Sequence, residues 1–306
     1  MNNSESLPVQ RPVYCAFGLS IASEISFPDM LPVEGRPDIF IRYGRLPKRI
    51  PNARVTGLQC EVGPGAFLLR VGGIAGYYVT EGRYIIVQRE AGATDEEVLL
   101  FLMGSAMGAL LHQRNILPLH AGAVRLDGGA VLFMGRSGIG KSTMVARFQD
   151  RGYSIMADDV CAVTIDGGKS AAVAPGFPLL KLGADVLKKL DKRREGLRRV
   201  RLENDFKKYF VPFDHRNAEP AIIRSVFLLQ SNCTGRFEIE KLAGMDKIEP
   251  FLKHTYRTQF LEGQGNRQIH FQQCSVVAAQ APVYKVKRPR NGFRLQRLMD
   301  LIERHW

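Results

Sequence analysis

The chain has 306 residues, of which 45% are hydrophobic and 24% charged, and it carries a formal net charge of +13. These fractions are those of a soluble globular protein with a sizeable core, in two ordinary domains or one large one. The charge favours anionic partners: nucleotides, acidic peptides, nucleic acid or a membrane surface. The five cysteines (Cys15, Cys60, Cys161, Cys233, Cys274) are scattered and form no CxxC pair. A zinc site or disulfide framework is therefore not expected, and the reading is a reducing cytoplasm. The opening residues show no basic stretch followed by an apolar one, so no secretory signal is expected. The longest apolar run, Val98 to Leu111, is shorter than the roughly 20 residues of a membrane span, and no membrane partner is expected.

Residues 13–90 read as all-β. Asp38–Arg42, Phe67–Val71, Gly76–Thr80 and Tyr84–Gln88 are short extended runs bounded by Gly, Pro and Asn, as in a meander. Thr94 followed by Glu97 forms a capping-box pattern. The apolar stretch behind it predicts a buried helix through Leu111. A domain boundary falls near residue 92, giving a β-rich unit over 1–92 and a second unit over 93–306. In the second unit, Ile116–His120 and Ala121–Arg125 are extended, and Asp127-Gly-Gly129 marks a tight turn. Ala130–Met134 is a buried strand, Lys141–Gln149 a helix and Ser154–Ala157 another strand. This strand–loop–helix–strand order is that of a nucleotide-binding α/β sheet. Farther on, Ile222–Leu229 and Val283–Val286 read as strands, and Met245–Tyr256 and Phe293–Arg304 as helices.

Between the buried strand and its helix stands Gly135-Arg-Ser-Gly-Ile-Gly140-Lys141-Ser142, a match to the phosphate-binding pattern G-x-x-x-x-G-K-[ST]. Glycines let the backbone wrap close to phosphates, and the following helix adds its positive end. Gly135, Ser137, Gly138, Ile139, Gly140, Lys141, Ser142 and Thr143 are thus the expected ATP-binding residues. Lys141 is expected to reach the β- and γ-phosphates, and the Ser142 hydroxyl to ligate Mg²⁺. Asp158 and Asp159 close an apolar strand sixteen residues past Ser142. One carboxylate there suits a metal, and a second suits the proton of an attacking hydroxyl. As a bare pattern, the same pair also fits two turn aspartates.

His120-Ala-Gly-Ala-Val, the loop, and Arg151-Gly-Tyr-Ser-Ile-Met-Ala-Asp-Asp159 together resemble the catalytic domain of the bacterial HPr serine kinase/phosphorylase family. The resemblance implies a P-loop kinase domain related to phosphoenolpyruvate carboxykinase, here preceded by a small β-rich domain. It further implies Asp158 as the base acting on a serine hydroxyl, Asp159 as the Mg²⁺ ligand, and His120 contacting and tuning the base, with Lys141 also catalytic. That family's front module is α/β, and its Glu-x-Arg-Gly signature has only a faint echo in Glu195-Gly-Leu-Arg198. The family forms hexamers, so a homo-oligomer is admitted. The kinase-like proteins of lasso-peptide gene clusters are similar over more of the chain. They share Leu119-His-Ala-Gly-Ala-Val124, Pro175-Gly-Phe-Pro-Leu-Leu180, His254-Thr-Tyr-Arg257 and the Val283–Pro289 ending. That resemblance implies phosphorylation of a serine near the C-terminus of a precursor peptide.

Other residues stay open. The basic run 188–201 fits a phosphate clamp, a peptide-binding surface, a lid or a solvated loop. Lys207, Lys208 and Tyr209 lie where a phosphate-binding residue can sit. His254 and Arg257 share a face of the predicted helix, which favours packing. A kinase acting on another protein or a small molecule, and a nucleotide-dependent switch without transfer, remain alternatives. No basic stripe interleaved with aromatics is present, and no nucleic-acid partner is expected.

Overall fold

The computed structural model describes residues 11–57, 59–200, 208–214, 219–289 and 294–306. Its front part is one sheet of eight strands: β1 (Val13–Ala16), β2 (Leu19–Ser23), β3 (Ile39–Tyr43), β4 (Val55–Thr56), β5 (Cys60–Gly63), β6 (Ala66–Val71), β7 (Ala75–Thr80) and β8 (Tyr84–Arg89). The spatial order is β1-β2-β3-β8-β7-β6-β5-β4. The half from β4 to β8 is the expected meander, but β3 lies parallel to both β2 and β8. Alternation sets the faces: Phe67, Leu69, Tyr77, Val79, Ile85 and Val87 are buried in one core.

The Thr94 capping box forms as expected, with the Glu97 N–H donating to the Thr94 hydroxyl at 3.3 Å and the Thr94 N–H to the Glu97 carboxylate at 3.1 Å. The helix behind it is not uniform. Helix α1 (Asp95–Phe101) passes through a π-helical segment at Leu102–Ala106 into α2 (Met107–Gln113). Its apolar residues join the front-sheet core, and the Tyr77 hydroxyl donates to the Val98 carbonyl at 2.8 Å.

The second part is built on a nine-stranded mixed sheet. Its strands are β9 (Leu117–Leu119), β10 (Ala121–Leu126), β11 (Gly129–Met134), β12 (Ile155–Ala157), β13 (Cys161–Asp166), β14 (Ser170–Ala174), β17 (Ala221–Asn232), β18 (Glu238–Lys241) and β19 (Val283–Pro289). A separate hairpin pairs β15 (Leu179–Gly183) with β16 (Lys208–Pro212). The turn at Asp127-Gly128 joins β10 to β11, and β11 runs parallel to the long β17. The far edge of β17 pairs first with β14 and then, in parallel, with β19.

One face of the sheet packs on α5 (Glu249–Lys253) and α7 (Arg267–Gln280) through Phe251, Cys274 and Val277. The other packs on α3 (Lys141–Asp150) and α8 (Leu295–Glu303) through Val145, Phe148, Leu298 and Ile302. Helix α4 (Ala184–Lys189) adds Leu187 to the α3 side, and α6 (Gln259–Gln264) packs Phe260 on Phe67 of the front sheet. Arg151 fastens α8 by ion pairs to Asp300 at 2.6 Å and Glu303 at 2.5 Å. No helix among the described residues is long and apolar enough to cross a membrane.

One expected helix differs. The predicted helix over Met245–Tyr256 is a 3₁₀ turn at Gly244–Lys247 followed by α5, which ends at Lys253. Beyond it the chain leaves helical geometry because Thr255 pairs with Leu119 in a β-bridge. His254 and Arg257 therefore lie on a turn and share no helix face. The described part of the basic run is also tied down: Arg198 pairs with Asp29 of the front part, Lys192 lies 3.4 Å from Asp150, and Val200 N–H donates to Lys208 O at 2.9 Å. Arg201 and Lys207 lie outside the described residues.

Candidate active site

The strand β11 delivers the chain to Gly135 at its end, and α3 begins at Lys141. Gly135 has φ +143°, and a Cβ added there would stand 2.6 Å from the Leu229 carbonyl. Only glycine lets the loop leave β11 so close to β17. Gly138 and Gly140 also take positive φ, and Gly140 caps α3 without any side-chain bond to its free N–H groups. The first turn of α3 carries no acidic residue. A helix N-terminus with free donors and no local carboxylate suits an anion.

Lys141 is buried and folds back over the loop. Its ammonium donates to Gly135 O at 2.8 Å, to Arg136 O at 3.3 Å and to His120 Nε2 at 3.0 Å. Burial lowers its pKa, opposed by the charges of Asp158 and Asp159. Because an ammonium only donates, His120 Nε2 accepts, and the ring hydrogen belongs on Nδ1. His120 Nδ1 faces Asp159, 3.0 Å from its carbonyl and 3.2 Å from its carboxylate. The other Asp159 oxygen meets Lys181 Nζ at 2.8 Å. Lys141, His120, Asp159 and Lys181 thus form one continuous chain of polar contacts.

Asp158 belongs to a separate arm. It accepts from the Ser142 hydroxyl at 2.9 Å and from the Lys181 N–H at 3.3 Å. The expectation that His120 contacts Asp158 is corrected here, because the imidazole reaches Asp159 instead. The cause is local geometry. Asp158 ends the β12 strand facing α3, and Asp159 then takes a left-handed φ of +71° that turns its side chain towards β9 and β15. The two carboxyls differ electrostatically. Burial and then the neighbouring Asp159 charge raise the pKa of Asp158. For Asp159 burial acts in the same sense, but Lys181 and then His120 outweigh it and hold the group well below the carboxylate range.

Mg²⁺ and nucleotide fit this donor set. Asp158 and the Ser142 hydroxyl are adjacent hard oxygens beside the loop. Among the described residues no group of three His, Cys, Asp or Glu side chains is arranged to hold a metal. Mg²⁺ characteristically takes one or two carboxylates together with substrate phosphates, so this sparse set is compatible with it.

A cleft of about 770 Å³ joins these groups. It runs from Ser137, Gly138 and Gly140–Thr143 past Asp158, Asp159 and His120 to a far wall at Phe101 and His254–Arg257. Of the loop residues, Ile139 instead lines a smaller apolar hollow under α8, which Gly140 and Thr143 also line, with Arg288 donating to the Ile139 carbonyl at 2.9 Å. Lys181 is a site residue that the sequence hid, its sole hint a lysine within the apolar run Leu179–Leu182, and Tyr256 stood out only as part of the His254–Arg257 segment, with no role assigned to it. Lys208 lines the cleft, whereas Tyr209 packs into the α3 side of the core.

No protein-family model matches the sequence, and no curated protein matches it. Among solved structures, the chain is similar to the HPr(Ser) kinase/phosphatase from Coxiella burnetii. The match covers 61% of this chain and 93% of that one, at 15% identity and a TM-score of 0.31.

Proposed function

We propose that this protein is an ATP- and Mg²⁺-dependent serine kinase. The carrying observation is the division of labour around the loop. Ser142 bonds one aspartate, while Lys141 is linked through His120 to the other. In this reading Ser142 and Asp158 hold the metal, and Asp159 is the proton acceptor, an exchange of the roles that the family resemblance implies for the two aspartates. Bound Mg²⁺ supplies positive charge to the phosphate oxygens during transfer.

The loop N–H groups and Lys141 bind the phosphates and offset the charge on the transferring group. Asp159, aimed by Lys181 and His120, takes the proton of the acceptor hydroxyl. That oxygen forms the new bond to the γ-phosphorus as the bond to the β–γ bridging oxygen breaks and ADP leaves. The low pKa of Asp159 is no obstacle, since transfer through a loose transition state asks little of the base before the new bond forms. His120 ties the nucleotide lysine to this carboxylate, so each half of the site sets the other's position. The acceptor we infer, from the resemblance at His120–Asp159 and His254–Arg257, is a serine near the C-terminus of a precursor peptide.

The two aspartates separate the reading from its reverse. Asp158→Asn is expected to weaken the Mg²⁺-dependent part of ATP binding about tenfold or more, as loss of a charged ligand does. Asp159→Asn is expected to leave Mg²⁺·ATP binding near that of wild type while transfer falls by about 10²-fold or more. Calorimetric titration with and without Mg²⁺, paired with transfer assays, checks this. Interchanged behaviour of the two variants returns the base to Asp158.

A further inference from the structure

Past the aspartates, the cleft reaches a wall that nucleotide binding leaves unused. One side is the bend of α1 into the π-helical segment, at Leu100, Phe101 and Ser105; the other is the turn His254–Arg257. That turn is fastened from several directions. The His120 N–H donates to the His254 carbonyl at 2.7 Å, and the Tyr256 N–H donates to Pro118 O at 2.8 Å. The Tyr256 carbonyl meets His112 Nε2 of α2 at 2.8 Å. The Tyr256 ring lies on Gly108, where an added Cβ would stand 2.8 Å from it.

Arg257 follows in the left-handed region, with φ +54°. A non-glycine residue stays there only where its surroundings over-determine it, and such residues gather at ligand clamps. Here the strain places an exposed guanidinium at the rim of the cleft, 5.8 Å from the Tyr256 ring centre. Its neighbour Lys253 pairs with Glu249 at 2.6 Å, but Arg257 has no carboxylate partner among the described residues. Of the three cleft aspartates, Asp158 and Asp159 are engaged by Ser142, His120 and Lys181, and Asp185 lies 3.9 Å from Lys189. A planar, always-charged fork that leans on the Tyr256 side chain and meets no carboxylate among the described residues matches a carboxylate in two-pronged fashion.

Resting on the kinase reading above, we propose that this wall receives the phosphoryl acceptor and that Arg257 binds a carboxylate carried by the acceptor beside its reacting hydroxyl. The phosphates are served by Lys141 and the loop, which leaves Arg257 to read the acceptor. The carboxylate comes either from a chain terminus or from an acidic side chain next to the serine.

The test uses the full chain with ATP and Mg²⁺ and three serine peptides of one sequence. The first ends in a free carboxylate next to the serine, the second is its amide, and the third is the amide with aspartate beside the serine. At least one carboxylate peptide is expected to exceed the plain amide in kcat/KM by about tenfold, the worth of one charge-assisted contact. Arg257→Gln is expected to bring that ratio near one through acceptor KM, with the KM for ATP unchanged, and Arg257→Lys to restore part of it. Which carboxylate peptide wins identifies the source. Equal use of all three peptides by wild type, a preference that survives Arg257→Gln, or a loss of ATP affinity in that variant overturns the inference and leaves the kinase reading standing. Binding of ATP without transfer to any of the three overturns both.

Discussion

Asp159 and His112 show how single residues link backbone geometry to charge. The left-handed turn at Asp159 separates two adjacent carboxyls into different environments, one on Ser142 and one on Lys181 and His120. His112 is buried, and burial lowers its pKa to about 4. Its neutral ring holds the Tyr256 carbonyl. Between about pH 6.5 and pH 4 the unfolded chain binds a proton at this histidine that the folded chain does not. Stability therefore falls as pH drops through that window, by on the order of 3 kcal/mol at its lower end. Urea unfolding of wild type and His112→Gln at pH 7, 5 and 4 measures it. The difference between the two proteins is expected to shrink as the pH falls, and a constant difference contradicts the assignment. The loop over 135–142 was readable in sequence because its glycines and lysine stand at the fixed local spacing of a phosphate-binding pattern. The placement of Lys181 and Tyr256 was not, because they reach the site through the long-range contacts of β15 and of the Leu119–Thr255 bridge.

At the scale of elements, the π-helical segment and α2 do more than fill the core. Gly104 and Gly108 present a flat surface to Tyr256, and the turn carrying Arg257 rests on it. Gly108→Val is expected to cost about 1–3 kcal/mol through overpacking against the ring. It is also expected to disturb the acceptor side of the cleft while nucleotide binding stays within about twofold, well under the 1.4 kcal/mol of a tenfold change. Thermal melts and ATP titration of the variant check both parts. The helix start at Thr94 was legible because a capping box is a local pattern. The π-helical bend inside it was not, since no proline or charge marks it. Likewise the runs at Phe67–Val71 and Gly76–Thr80 announced strands by alternation, whereas the parallel placement of β3 beside β8 joins segments over forty residues apart, beyond the reach of any local signal.

At the scale of the whole molecule, the front sheet and the second part share apolar contacts. Phe177 stacks on Phe27 at 5.3 Å and meets the edge of Phe17 at 5.2 Å, and the Phe17 N–H donates to the Pro175 carbonyl at 2.6 Å. One buried cluster contains front-sheet residues together with Val160, Leu179, Val200 and Phe210. Phe177→Ala is expected to cost about 3–5 kcal/mol, as aromatic truncations in cores do. Because the cluster spans both parts, the loss should lower a single unfolding transition seen equally by far-ultraviolet dichroism and tyrosine fluorescence; two separated transitions would show that the parts fold independently. The α1 bend that forms one side of the proposed acceptor wall is itself packed on the front-sheet core.

Phosphoryl transfer is proposed to run through the Lys141–His120–Asp159 chain beside Ser142 and Asp158. Mass spectrometry of a serine-ended peptide incubated with ATP, Mg²⁺ and either wild type, Lys141→Ala or Asp159→Asn tests it most directly. The mass increment of one phosphoryl group is expected with wild type and, with each variant, a loss of about 10²-fold or more in rate. ATP hydrolysis at the same rate with and without peptide, leaving the peptide mass unchanged, would contradict it.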